Sequence, residues 1–221
     1  MPDVTGRSEK EKFLARKLAK IFATYSKWAL REIFELRNTA MPQGYWVGLA
    51  ADEKAILGPM IANVFHEQGA AMASDIGIGV DWALINERAA DFAKKHTFDL
   101  VKGIDETSEK SLQKVISGFF EAPTTRGNLE QQIIKTFGPV RAEMIAVTEV
   151  TRAASAGEVM IADELKSEYG IDLVAVWQTN NDSLVCQICG PRHGKQRGDG
   201  WTEDPPAHPR CRCWLNHERR K

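Results

Sequence analysis

Cysteine is scarce in this sequence: four residues in 221, all within its last forty positions. So few thiols exclude a disulfide-dense scaffold for a chain of this length. Long apolar runs are missing as well. No stretch approaches the roughly eighteen consecutive apolar residues that a membrane-spanning helix needs, so no membrane segment is expected. The opening Met-Pro-Asp-Val-Thr-Gly has no basic flank leading into an apolar core. A secretory signal is therefore not expected, and the chain is expected to fold in a reducing cytoplasm, with its cysteines as thiolate ligands. Internal repeats and low-complexity tracts are lacking too.

Net charge is nearly absent, at −1, but it is unevenly spread. Residues 7–37 carry nine basic and four acidic side chains, residues 186–221 eight and four, and the middle twelve against twenty-one. Basic ends around an acidic body permit contact with nucleic acid or an acidic partner without establishing it, because a solvated helix face produces the same run. With 43% hydrophobic and 27% charged residues, the composition is that of an ordinary globular protein of one large or two modest domains.

Apolar residues at spacings of three and four predict a helix over residues 10–37, with Phe13, Leu14, Leu18, Ile21, Phe22, Tyr25, Ala29, Ile33 and Leu36 on one face. The Pro- and Gly-containing segment 38–44 breaks it. A second helix is expected over 51–74, kinked or restarted at Gly58-Pro59, with small residues from Gly69 suited to close helix packing. His66-Glu67 resembles half of a zinc-protease helix, but position 70 is Ala where the second histidine would stand. Two helices are expected over 82–102 and 107–120, and another opening on a capping box with Asn128 as cap. That helix stops at Gly138-Pro139, and a long amphipathic helix follows over 140–166. After Gly170 the character changes. Residues 173–179 are β-branched and aromatic and read as a strand, and 210–216 as its partner. The fold class expected is α+β, a predominantly α-helical body with a small C-terminal β and zinc-binding-like module. Three regions are expected: 1–42, a basic amphipathic helix; 43–122, helical; and 123–221, holding the module.

The chemistry-bearing feature is Cys186-Gln-Ile-Cys189, then eighteen residues, then His208-Pro-Arg-Cys211-Arg-Cys213. A Cys-x-x-Cys turn aims two sulfurs at one point, and a second pair completes tetrahedral coordination of Zn²⁺. Five candidates compete for four places. Cys186, Cys189, His208 and Cys211 are the preferred set, and Cys213 in place of His208 is the rival, since Cys211 and Cys213 would share one face of a strand. Four protein ligands make a closed, structural site with no catalytic residue. Glu203, Asp204 and His193 are the local candidates for a general base if a position were open, and nothing in the spacing selects them.

The helix Arg141-Ala-Glu-Met-Ile-Ala-Val-Thr-Glu149-Val-Thr-Arg152-Ala, followed by Trp177, the Cys186/Cys189 pair, His193-Gly-Lys195 and Pro205-Pro-Ala-His208-Pro-Arg-Cys211-Arg-Cys213, resembles the phage Mu F-like minor head (head morphogenesis) proteins over roughly residues 100–215. Ser155 departs from the pattern, where an asparagine is expected three residues after the arginine. The resemblance implies a non-enzymatic minor capsid protein of a tailed phage, found in the virion head and in the host cytoplasm during assembly. It implies action near the portal protein and other head proteins, in procapsid assembly and DNA packaging or delivery. Glu149, Arg152 and Trp177 are read as structural motif residues: Glu149 and Arg152 as an exposed pair or an inward dock against the cysteine module, with a catalytic Glu149 as the third reading, and Trp177 as a strand anchor in preference to a ligand-stacking platform. Arg192, Lys195, Arg197, Arg210, Arg212, Arg219, Arg220 and Lys221 are the expected contacts to double-stranded DNA or an acidic partner. The competing expectations are a metal-dependent nuclease-like enzyme and a zinc-ribbon nucleic-acid-binding protein.

Overall fold

A computed structural model describes residues 4–77, 79 and 81–219, apart from the side chain of Trp82. Five helices precede a two-stranded antiparallel sheet: α1 (Arg7–Leu30), α2 (Gln43–Ile76), α3 (Trp82–Glu121), α4 (Arg126–Phe137), α5 (Pro139–Tyr169), β1 (Leu173–Gln178) and β2 (Trp214–Arg219). The fold is α+β, helical with a small C-terminal sheet and a cysteine/histidine cluster. No helix among the described residues is long and apolar enough to cross a membrane.

The chain forms two compact units. One comprises Lys12–Pro59 and Lys94–Met144; the other comprises Met60–Ala93, Ile145–Lys221 and Met1–Glu11, in their described parts. In the first, the α1 stripe buries Leu14, Leu18, Phe22, Tyr25, Ala29 and Ile33. Phe22 meets Phe137 edge-on, and Tyr45 sits against Tyr25 and Trp28, each pair of centroids 5.2 Å apart. The α-helix ends earlier than the periodicity predicts. Residues Arg31–Glu35 form a wider π turn, and the buried Glu32 carboxylate there accepts from Trp28 Nε1 and Asn38 Nδ2. Arg37, with φ 57°, then turns the chain away.

Helix α2 runs unbroken through Pro59, at the loss of one backbone hydrogen bond. Helix α3 is likewise one helix, not two. Thr97 and Ser108 lie on its buried stripe, and the Ser108 hydroxyl donates to the Ile104 carbonyl 2.7 Å away, so a polar residue in the stripe does not end it. Helix α4 is capped by Thr125, whose hydroxyl accepts from the Asn128 N–H at 3.3 Å; Asn128 is therefore the capped residue and not the cap.

In the second unit α2 crosses α5 at glycines. A Cβ on Gly157 would collide with the Phe65 carbonyl, and one on Gly69 would lie 3.4 Å from the Gly157 carbonyl. Beside this contact Gln68 Nε2 donates to Glu158 Oε1 at 2.6 Å. Phe65, Met72, Ile85, Ile161 and Leu165 pack around it. Strands β1 and β2 pair in a register that sets Trp177 opposite Leu215. Residues 174–177 of β1 are all buried, so both of its faces are covered.

Gly157→Ala is expected to lower stability by about 1–3 kcal/mol, because backbone must move. Gly118→Ala, on an open face of α3 with nothing nearby, is expected to raise it by about 0.5–1 kcal/mol. Denaturant midpoints of the two variants check the contrast. Burial pushes the Glu53 carboxyl up to about 8, reinforced by Asp105 and opposed by Arg141, and burial does the same for Glu158. Among the described residues neither oxygen of Glu53 meets a hydrogen-bond partner. The folded chain therefore holds protons that the unfolded chain has released. The stability from neutral Glu53 is complete below its ordinary 4.5 and is lost as pH rises through about 8. Unfolding followed across that window is expected to show falling stability, with a shallower fall in a Glu53→Gln, Glu158→Gln double variant.

Candidate metal centre

The Cys186-x-x-Cys189 turn is built by backbone bonds. The Gly190 N–H donates to the Cys186 carbonyl at 2.9 Å, and the Cys189 N–H points at Cys186 Sγ, 3.4 Å away. A short 3₁₀ turn, Gly190–Arg192, follows. Residues 194–197 then run along the open edge of β1: Gly194 N–H donates to the Trp177 carbonyl, Trp177 N–H to the Lys195 carbonyl, and Arg197 N–H to the Ala175 carbonyl. Residues 208–213 have no regular secondary structure, and β2 starts only at Trp214. The expected strand over 210–216 is thus displaced, and Cys211 and Cys213 lie ahead of it. The reason is that this segment directs its backbone to α5. The Arg210 N–H donates to Thr148 Oγ1 at 3.0 Å, and Thr151 Oγ1 donates to the Cys211 carbonyl at 2.7 Å.

These connections bring all five predicted donors together in two triads that share Cys189: Cys186, Cys189 and His208, and Cys189, Cys211 and Cys213. Within each triad the ligand atoms lie within 4.8 Å of one another, and each can hold a metal ion. His208 Nε2 is 3.1 Å from Cys186 Sγ and 3.3 Å from Cys189 Sγ, and Cys189 Sγ is 3.8 Å from Cys211 Sγ. Metal–ligand bonds of the length usual for zinc would put two tetrahedral thiolates about 3.8 Å apart and a thiolate and an imidazole about 3.6 Å apart. The Cys189–Cys211 separation matches that spacing and the two sulfur–imidazole separations are shorter, while among the described residues the donors form two groups of three and no mutually close group of four. His208 Nδ1 lies 2.8 Å from the Pro209 carbonyl, which can only accept. Nδ1 therefore carries a proton, and Nε2, which is bare whenever the ring is neutral, is the nitrogen turned toward the sulfurs.

The thiols sit in an apolar cluster with Trp177, Trp201, Ala175 and Leu215, the two indoles edge-on at 5.2 Å. Their crowding divides the protons unequally. Burial and the neighbouring Cys211 push the Cys189 thiol up to about 12. Hydrogen bonds from Cys213 and backbone N–H groups outweigh burial at Cys211 and bring it down to about 5. Cys213 is driven up by Cys211 and by burial. At Cys186 burial raises the pKa, but the N–H groups of Cys189 and Ile188 prevail and lower it. A cation relieves this mutual repulsion, the usual reason such sites bind one.

Trp177 is wholly buried as a strand anchor, and Arg192 lies over its ring, 5.0 Å from the centroid. Glu149 is buried and Arg152 half-exposed, 3.5 Å apart. Thr148 and Thr151 of this helix reach the cysteine segment, residues which the motif contains and the spacing of charges did not single out. Among the basic residues, Arg197 pairs with Asp204 and lies over Trp201, and Arg212 forms a two-pronged pair with Glu11 at 3.1 and 3.0 Å. Lys195 and Arg219 are exposed, as is Arg210, which sits at φ 64°. Arg220 and Lys221 lie outside the described residues. His193 Nδ1 accepts from the Thr179 N–H at 3.1 Å, and Glu203 is exposed.

No protein-family model, no curated protein and no solved structure matches this chain. The family resemblance accordingly rests on the motif residues themselves.

Cys186 is half-buried, whereas Cys189, Cys211 and Cys213 are buried. In reduced protein under chelator, iodoacetamide is expected to modify Cys186 first, because accessibility and thiolate character coincide there. Peptide mapping at short reaction times checks the order; equal labelling of all four would contradict it.

Proposed function

We propose that this chain is a non-enzymatic minor head protein of a tailed phage, similar to the Mu F-like proteins, whose C-terminal module is held by one structural Zn²⁺. What supports the family reading is that the two segments carrying the resemblance close on each other. Thr148 and Thr151 of the α5 motif hold the backbone of Arg210 and Cys211 in the terminal motif, some sixty residues away in sequence. What supports zinc is the donor chemistry, thiolates with a neutral imidazole, which suits zinc better than hard cations. The ligands proposed are Cys186, Cys189, His208 and Cys211. His208 is preferred to Cys213 because its bare Nε2 faces both sulfurs of the Cys-x-x-Cys turn. Bound there, the ion cross-links two loops that would otherwise rely on a small apolar cluster.

In this role the module is an assembly element. It acts at the portal and with other head proteins in procapsid assembly and DNA packaging or delivery, and it resides in the virion head. Contact with double-stranded DNA falls to the exposed Lys195, Arg210 and Arg219, in a sequence-tolerant and salt-sensitive mode. A metal-dependent nuclease would need an open coordination position and a base beside it. Asp182, the acidic residue lining the cleft at the cysteines, accepts from the Leu184 N–H in its own turn, and Asp204 is paired with Arg197.

Elemental analysis of reduced protein is expected to return one zinc per chain, and chelation to loosen residues 170–219 before α4. Co-sedimentation with the portal ring of the same phage is expected to retain the chain. Substantially less than one zinc would defeat the metal assignment, and failure to associate with portal or procapsid would defeat the assembly role.

A further inference from the structure

The segment that supplies His208 and Cys211 is braced by the first turn of α1. Thr151 has one hydroxyl proton, and it goes to the Cys211 carbonyl. The oxygen is thereby left to accept, and Arg7 Nη1 donates to it at 2.7 Å. One turn later Glu11 receives the guanidinium of Arg212, the residue between Cys211 and Cys213, through Nε at 3.1 Å and Nη2 at 3.0 Å. Arg7 and Glu11 are themselves 3.7 Å apart at i,i+4. The same turn is held from its other side by Lys10, 2.5 Å from Glu67 on α2, and by the buried Val4. Residues 4–11 belong to the same compact unit as the cysteine module, whereas α1 from Lys12 belongs to the other.

Arg7 and Glu11 are 7% and 6% exposed, far from the solvated surface pairs that contribute little. Charges that deep are tolerated because each has several partners, and removing one strands the others. The partners here are Thr151, whose hydroxyl holds the carbonyl of one candidate ligand, and Arg212, the side chain next to that ligand. We propose that Arg7 and Glu11 are positioning residues of the metal centre, so that docking of residues 4–11 and metal binding reinforce each other. The idea rests on the metal reading above. Neither residue touches the ion; each acts by fixing where the Cys211 backbone lies. Coupling of this kind is reciprocal: a brace that tightens metal binding is itself tightened by the metal.

The test uses the full chain and zinc alone. Affinity is measured by competition with a chromophoric chelator for the natural sequence, Glu11→Gln and Glu11→Asp. Hydrogen exchange of residues 4–11 and of α4 is followed with and without the metal. Glu11→Gln is expected to weaken zinc about 10–100-fold, the usual effect of losing an outer-shell partner, while α4 keeps its protection. Glu11→Asp, which keeps a carboxylate for Arg7 and Arg212, is expected to recover most of that loss, which mere misfolding would not allow. Chelation is expected to speed exchange in residues 4–11 and leave α4 unchanged. If the natural sequence binds zinc and Glu11→Gln binds it equally well, or if exchange in residues 4–11 ignores the metal, the coupling is wrong and the metal reading stands. If the natural sequence binds no zinc, both fall.

Discussion

The hydroxyl of Thr151 is the point on which the C-terminal module turns. Residues 208–213 pair with no strand, so their backbone groups need partners from elsewhere once they are covered. Thr151 meets the Cys211 carbonyl and Thr148 the Arg210 N–H, which pins the segment to α5 at two successive residues. That pinning sets Cys211 3.8 Å from Cys189 and leaves the segment free to enter β2 only at Trp214. Cysteine convergence, strand register and the burial of Leu215 opposite Trp177 all follow from it.

Two strands cannot stabilise themselves in water, and the apolar cluster here is small. Its two tryptophans are joined by three buried cysteines, which behave as small hydrophobes when neutral. The same sulfurs are therefore both core and ligand set. This double role accounts for their divided protonation: burial raises Cys189, the neighbouring Cys211 together with burial raises Cys213, and the hydrogen bond from Cys213 with those of backbone N–H groups lowers Cys211. A core whose thiols a cation can reconcile is a plain way for a short segment to become ordered.

Much of this was legible in the residues. The stripe Leu14, Leu18, Phe22, Tyr25, Ala29 and Ile33 is buried as its spacing demands, although Phe13 and Leu36 at its margins are exposed. The five candidate donors lie together, in two groups of three that share Cys189, where the Cys/His spacing predicts one four-ligand site. What failed were local readings that long-range bonds override. Residues 210–216 have strand composition, yet their first half is claimed by α5. Asn128 has the chemistry of a cap, yet Thr125 stands where the helix begins. The roles of Arg7, Glu11 and Thr151 gave no signal, because Arg7 meets Thr151 across 144 residues of chain while Glu11 and Thr151 meet the cysteine segment across 201 and 60, and no periodicity encodes such separations.

The basic C-terminal run shows the same override in electrostatic form. Read along the chain, eight cations against four acids suggest a surface for phosphate. In three dimensions three of the arginines serve the module. Arg192 and Arg197 lie over the faces of Trp177 and Trp201, and Arg212 is gripped by Glu11. A guanidinium suits these places because it is planar, stacks on rings and forks onto a carboxylate, none of which a lysine reproduces. Where a module has too few apolar residues to close its own core, arginine supplies flat side chains to cover its tryptophans. Part of the positive charge at this end of the sequence is thus explained by packing, before any partner is invoked.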